Sequence, residues 1–195
     1  MRKILFILII VTTSLSAKSQ SFGDWTKGCY YDTTGKKICG LIKWEIPSMM
    51  RLASGDNIVF KDSLKGARRK IHTDQFKSFV VNGDSLVVSQ YADFENSPIL
   101  LVAIDNPLKL YKHFEMSNNI NNMARLTDYY FGPDADIVTE LVRSKFIEVM
   151  SQIVADDTEL VTAIKNKSYR YGDMDDVIKK YKEFRKSKDA ASQKQ

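Results

Sequence analysis

The chain has 195 residues, 44% of them hydrophobic and 27% charged, with 29 basic and 24 acidic side chains and a formal net charge of +5. That length suits one domain with a sizeable core, or two small lobes. The charge is bipolar: residues 61–72 (KDSLKGARRKIH) hold five bases and one acid, and Lys179 to Gln195 hold seven bases and two acids, so the remainder is acidic. This distribution, together with the export signal described next, argues against a nucleic-acid partner.

The chain opens MRKILFILIIVTTSLSAKSQSFGDW. Arg2 and Lys3 precede an unbroken apolar run from Ile4 to Val11, and Ala17-Lys18-Ser19 forms a small-x-small processing site. That is the anatomy of a secretory signal peptide, and the run is too short to span a bilayer as a mature helix. No cysteine sits at the processing site, which argues against a lipoprotein, and no later segment is apolar for long enough to cross a membrane. The expected location is the periplasm, the cell envelope or the exterior. Without residues 1–19 the chain carries 26 bases against 24 acids, and outside the two basic segments it has an excess of seven acids.

The two cysteines lie ten positions apart in GCYYDTTGKKICG. DTTG is suited to a type I turn, with Gly35 left-handed in a three-residue loop that ends in a bulge. Asp32 then pairs with Lys36, Tyr31 with Lys37, Tyr30 with Ile38, and Cys29 with Cys39. Alternation makes the cysteine pair non-hydrogen-bonded, where side chains approach most closely, so a disulfide fits. It would contribute about 2–3 kcal/mol at most. A two-residue turn on Thr34-Gly35 would instead set Cys29 opposite Gly40. Zinc would need about four ligands, with only His72 and His113 to add, and a redox pair is normally closer, as C-x-x-C.

Further strands are expected at 28–32, 37–44, 57–61, 67–72, 77–82, 85–91, 98–104, 108–115 and near 125–131, separated by turn signals. PILLVAI does not alternate and reads as a strand covered on both faces. LKLYKHFE places Leu108, Leu110 and Phe114 on one face and Lys109, Tyr111 and His113 on a polar one. After Pro133 the period becomes helical: Val138, Leu141, Val142, Phe146, Val149, Met150 and Ile153 fall on one side. DDTE at 156–159 caps a second helix, and GDMDDVIKKYKEFRK forms a third with Met174, Val177, Ile178, Tyr181 and Phe184 or Arg185 in its stripe. The fold class is α+β: an antiparallel twisted sheet or partly closed barrel, followed by about three helices. The expected divisions are a signal peptide (1–19), a β-rich lobe (20–132), a helical lobe (133–186) and a disordered tail (187–195).

No nucleophile elbow, metalloprotease motif or phosphate-cradling glycine loop occurs, so no catalytic residue, cofactor or metal ligand is assigned. Asp173, Asp175 and Asp176 lack the glycine and glutamate of a calcium loop, and they complement the helix dipole at the start of the third helix. His72 and His113 are expected to be solvent-exposed or hydrogen-bonded. Two features could form a binding surface. One is the basic run Arg68, Arg69 and Lys70. The other is Tyr129, Tyr130 and Phe131, which either fill the seam between sheet and helices or line a cleft there. Both basic segments are expected to stay solvated and open to an acidic or anionic partner.

GCYYDTTGKKICGLI, then IVFK, then LLVAIDNPLKLY and a helical tail together resemble a family of uncharacterised exported proteins from Bacteroidetes-type Gram-negative bacteria. The resemblance covers most of the chain after the signal, implies an envelope location and supplies no catalytic residue. The leading reading is a non-enzymatic module that binds another envelope component, either a protein or an anionic surface. The rivals are a small hydrolase or sugar-acting enzyme at the sheet–helix seam, and a carrier of an apolar ligand inside a partly closed sheet. N-terminal sequencing of the exported protein should begin at Gln20; a retained Met1 would contradict the signal reading.

Overall fold

The computed structural model describes residues 24–45, 55–94, 97–116 and 125–192. Ten strands form one sheet: β1 (Thr26–Asp32), β2 (Lys37–Lys43), β3 (Asn57–Lys61), β4 (Arg69–His72), β5 (Phe76–Val81), β6 (Asp84–Val88), β7 (Ile99–Ile104), β8 (Lys109–Met116), β9 (Arg125–Gly132) and β10 (Thr139–Glu140). The helices α1 (Phe146–Ile153), α2 (Thr158–Lys165) and α3 (Met174–Ser192) follow. Every pairing is antiparallel, in the order β10-β9-β8-β7-β6-β5-β1-β2-β3-β4. The first nine strands agree with the sequence reading to within a few residues at their ends, and the α+β class holds.

The first hairpin forms in the bulged register. Gly35 N–H donates to Asp32 O, Asp32 N–H donates to Lys36 O, and Gly35 takes φ 87°. Asp32 Oδ1 accepts from the backbone N–H of Thr34 and of Lys36 and from the Thr34 hydroxyl. Those bonds, the hydroxyl's above all, hold the Asp32 carboxyl below the usual carboxylate range. Cys29 lies opposite Cys39 and the two are disulfide-bonded, with Cα atoms 4.0 Å apart.

The sheet cannot be flat. β4 ends it on one side and β5 lies four places away, yet only Thr73, Asp74 and Gln75 join the two strands. In a flat sheet four spacings would separate them by about 19 Å, whereas the link reaches about 14 Å even when fully extended. It is in fact folded back, with Gln75 N–H donating to His72 O. β1 to β5 therefore curl into a partial barrel, left open between β4 and β5. Gly28 and Gly40 face each other across β1 and β2 and permit close approach. A Cβ on Gly40 would lie 2.3 Å from Lys61 O and 2.7 Å from the Phe60 ring; one on Gly28 would lie 2.4 Å from Val80 O. The curl is filled by Tyr30, Ile42, Trp44, Ile58, Phe60, Phe76 and Phe79. Their rings meet edge to face, Tyr30 with Phe60 at 5.2 Å and Phe76 with Phe79 at 6.0 Å.

The helices have no separate core. Phe146, Val149, Met150, Ile153, Leu160, Ile164, Val177 and Tyr181 pack onto Ala103, Ile104, Leu110 and Tyr129 of the sheet. Asn106, in the β7–β8 turn, ties the parts together. Its amide donates to Ile153 O and to the Tyr181 hydroxyl, both at 2.6 Å, and its Oδ1 accepts from Arg185 at 3.0 Å. Tyr181 in turn donates to Asp156 at 2.6 Å. Burial alone would raise the Asp156 carboxyl, but the bonds from Tyr181 and Lys188 and the Arg185 charge hold it below its usual value.

Three expectations are corrected. The first helix begins at Phe146, not near Val138, because Thr139 and Glu140 pair with Phe131 and Tyr130 and cover the edge of β9. Leu141 N–H extends that pairing to Tyr129 O, and Val142 is left exposed. The last helix runs to Ser192, so residues 187–192 are helical, not a disordered tail; Lys188 reaches Asp156 at 3.2 Å. Tyr111 and His113 are buried, not on a polar face, since a short 3₁₀ turn, Ala92–Phe94, covers them. Phe94 stacks 4.6 Å from the His113 ring, and His113 Nε2 lies 3.0 Å from Ser97 O. His72 is exposed, with Nδ1 3.6 Å from an Asp56 carboxylate oxygen.

Two predictions follow from this packing. Gly40→Ala should cost about 1–3 kcal/mol of stability through overpacking, measured by denaturant unfolding, with an unchanged midpoint contradicting the curl. Burial pushes the Tyr130 hydroxyl up to about 12 and the Tyr111 hydroxyl higher still. The neutral form is favoured in the folded state, so that stability is full below the ordinary tyrosine value near 10 and is lost as pH rises through the folded values. In an absorbance titration at about pH 11 at least these two of the nine tyrosines should remain protonated; ionisation of all nine without unfolding would contradict their burial.

Candidate functional site

The basic run lies on the β3–β4 hairpin, and β4 is the edge strand of the sheet. Lys61 Nζ sits 4.3 Å above the Trp25 ring and the Arg68 guanidinium 5.8 Å from it. Arg69 pairs with Asp62 at 2.7 Å and lies 5.1 Å over Phe60. Arg68 and Lys70 are exposed, and Leu64 at the tip is 80% exposed. This segment is open to solvent, as expected.

The second basic segment is also largely exposed, but several of its cations are paired within the molecule. Along α3, Lys180 pairs with Glu159 at 3.0 Å, Lys182 with Asp84 at 3.6 Å, and Arg185 and Lys188 with Asp156 at 3.7 and 3.2 Å. The long helix lays these cations against acids of α2, the sheet and the α1–α2 turn. Four of the segment's seven bases thus meet three acids within the molecule, in pairs that lie at the surface.

Tyr129, Tyr130 and Phe131 do not line one cleft. Strand alternation sends Tyr129 and Phe131 to the helical side, where they pack into the seam, and Tyr130 to the opposite face beside Phe94 at 4.7 Å. The seam nevertheless leads to an open groove. Tyr129 meets Tyr171 edge to face at 6.0 Å, and Tyr171 meets Phe146 at 6.5 Å.

That groove has a volume of about 600 Å³ and lies between the start of α1 and the α2–α3 connection. Phe146, Ile147, Tyr169 and Tyr171 give it apolar and aromatic walls; Arg143, Lys167 and Arg170 surround it with positive charge. Local chemistry sets each position. Lys167 adopts the left-handed conformation, φ 61°, and ends α2 with its N–H on Ile164 O. Asp173, the acid of the lining, accepts from Arg170 N–H at 2.8 Å and closes the turn into α3. The Arg143 guanidinium lies 5.9 Å from the Tyr171 ring centroid. Burial first, then the carboxylates of Asp128 and Glu140, push the Tyr171 hydroxyl above its ordinary value. The Tyr171 hydroxyl is therefore kept in its neutral form.

Three cations lining a groove with aromatic walls can hold a carboxylate, sulfate or phosphate while an apolar or planar body packs against the rings. The sequence reading reached Tyr129 and missed Arg143, Lys167, Tyr169, Arg170 and Tyr171. The available signal was NKSYRYGD, residues 166–173, where tyrosines alternate with cations between two helices. Among the described residues no group of three or more His, Cys, Asp or Glu is placed to hold a metal ion, and no helix is long and apolar enough to cross a membrane. Comparison with protein families, with curated proteins and with solved structures finds no match for this chain.

Proposed function

We propose that this protein is an exported binding module of the cell envelope, and that its recognition site is the groove beside α1. Its ligand class is an anionic group attached to an apolar or aromatic body. The observation that carries this reading is that Arg143, Lys167 and Arg170 line one groove of ligand size together with Phe146, Tyr169 and Tyr171, with Arg143 over the Tyr171 ring. Export rests on the N-terminal signal and on the resemblance to exported Bacteroidetes-type proteins, and the Cys29–Cys39 disulfide accords with an oxidising compartment.

The carrier alternative is weakened because the curled sheet is filled with aromatic side chains. An enzyme at the sheet–helix seam is weakened because Tyr129 and Phe131 fill it. The groove's cations are exposed, so each contributes modestly and is screened by salt. Native mass spectrometry of protein taken from the envelope should show a bound anionic compound, and its retention should fall about tenfold or more in an Arg143→Glu, Arg170→Glu variant. Both side chains lie at the surface, and circular dichroism should confirm an unchanged fold. Equal retention in the two proteins, or no bound compound in either, would contradict the groove as the recognition site.

A further inference from the structure

The tip of the β3–β4 hairpin belongs to no core and no groove. Leu64 is the most exposed of the large hydrophobic residues described, at 80%. It stands in a tight turn in which Gly66 N–H donates to Ser63 O, a turn that needs no leucine at that position. Around it are Lys61, Lys65, Arg68, Arg69 and Lys70 with one acid, Asp62, which Arg69 already engages. Trp25 sits among these cations, under Lys61 and Arg68.

A single exposed leucine is unremarkable. A leucine 80% exposed, on a segment of four net positive charges whose Lys61 and Arg68 lie over an indole, has a definite complement. We propose that this tip docks onto an anionic lipid bilayer, with Leu64 entering the acyl boundary. Lys65, Arg68 and Lys70 have long apolar stems that follow the leucine downward while their charges stay at phosphate level. The indole of Trp25 suits the headgroup layer. An acidic protein would satisfy the charge but would need a pocket shaped for one protruding side chain. A bilayer supplies apolar depth beneath negative charge everywhere on its surface.

This inference is independent of the ligand groove. Near an anionic surface each cation is worth about fivefold in binding, so an Arg68→Ala, Lys70→Ala variant should bind on the order of twenty-fold less. The exported protein, purified after signal removal, is sedimented with vesicles of phosphatidylcholine containing about a third phosphatidylglycerol, or with pure phosphatidylcholine vesicles, at low and high salt. Binding is expected to the anionic vesicles alone, to weaken with salt, and to fall in the double variant and in Leu64→Asp. A Leu64→Trp variant should add blue-shifted fluorescence that lipids brominated on the acyl chain quench. Arg143→Glu, Arg170→Glu should leave vesicle binding unchanged, which separates this test from that of the groove. The proposal is overturned by failure to bind anionic vesicles at low salt, by equal binding of the tip variants, or by an unquenched Leu64→Trp signal. Capture of an acidic protein through Leu64 without vesicle binding would overturn it as well.

Discussion

Strands β7 and β8 take part in all three cores formed by the described residues. Ile99, Leu101 and Phe114 face the aromatic interior of the curl. Ala103, Ile104 and Leu110 face the helices. Leu100 and Tyr111 face the small cluster on the other side, with Phe94 and Val138. An interruption of this strand pair would expose three cores together. The irregularity between Val102 and Ile104 sets Ile104 opposite Leu110, and both pack against the helices. Two independent lobes would need two cores, and here the helical segment owes its core to the sheet.

This arrangement accounts for where the two proposed recognition surfaces lie. The curled half is stiffened by the Gly28–Gly40 approach and by the Cys29–Cys39 link on its outer side, and it projects the β3–β4 tip beyond its edge strand. The helical half ends at the groove, where α1 starts and α2 gives way to α3. Asn106 fixes the relation between these helices and the sheet through Ile153, Tyr181 and Arg185. Each surface therefore rests on a packed support, which favours binding without loss of much conformational entropy.

What was legible in the sequence was local. The DTTG turn carried its own hydrogen-bonding chemistry, so the hairpin register and the cysteine pairing followed from residues within thirteen positions. The unbroken apolar run of β7 announced its burial on both faces. What stayed hidden depends on distant partners. Thr139 and Glu140 became a strand because β9 offered an open edge, although their surroundings had helical spacing. His113 looked polar until Phe94, nineteen residues earlier, was placed over it. The cations of α3 looked available until the acids of α2 and the α1–α2 turn were set against them. The groove unites Arg143 with Lys167 and Arg170, and no spacing rule connects those positions.

The central claim, that strands β7 and β8 make sheet and helices one cooperative unit, is tested most directly by native-state hydrogen exchange at increasing denaturant. Amides of β7, β8, α1 and Val177 to Tyr181 of α3 should lose protection together, at the free energy of global unfolding. Exchange of the helices at a clearly lower free energy, with the sheet still protected, would contradict it and restore the picture of two separate lobes.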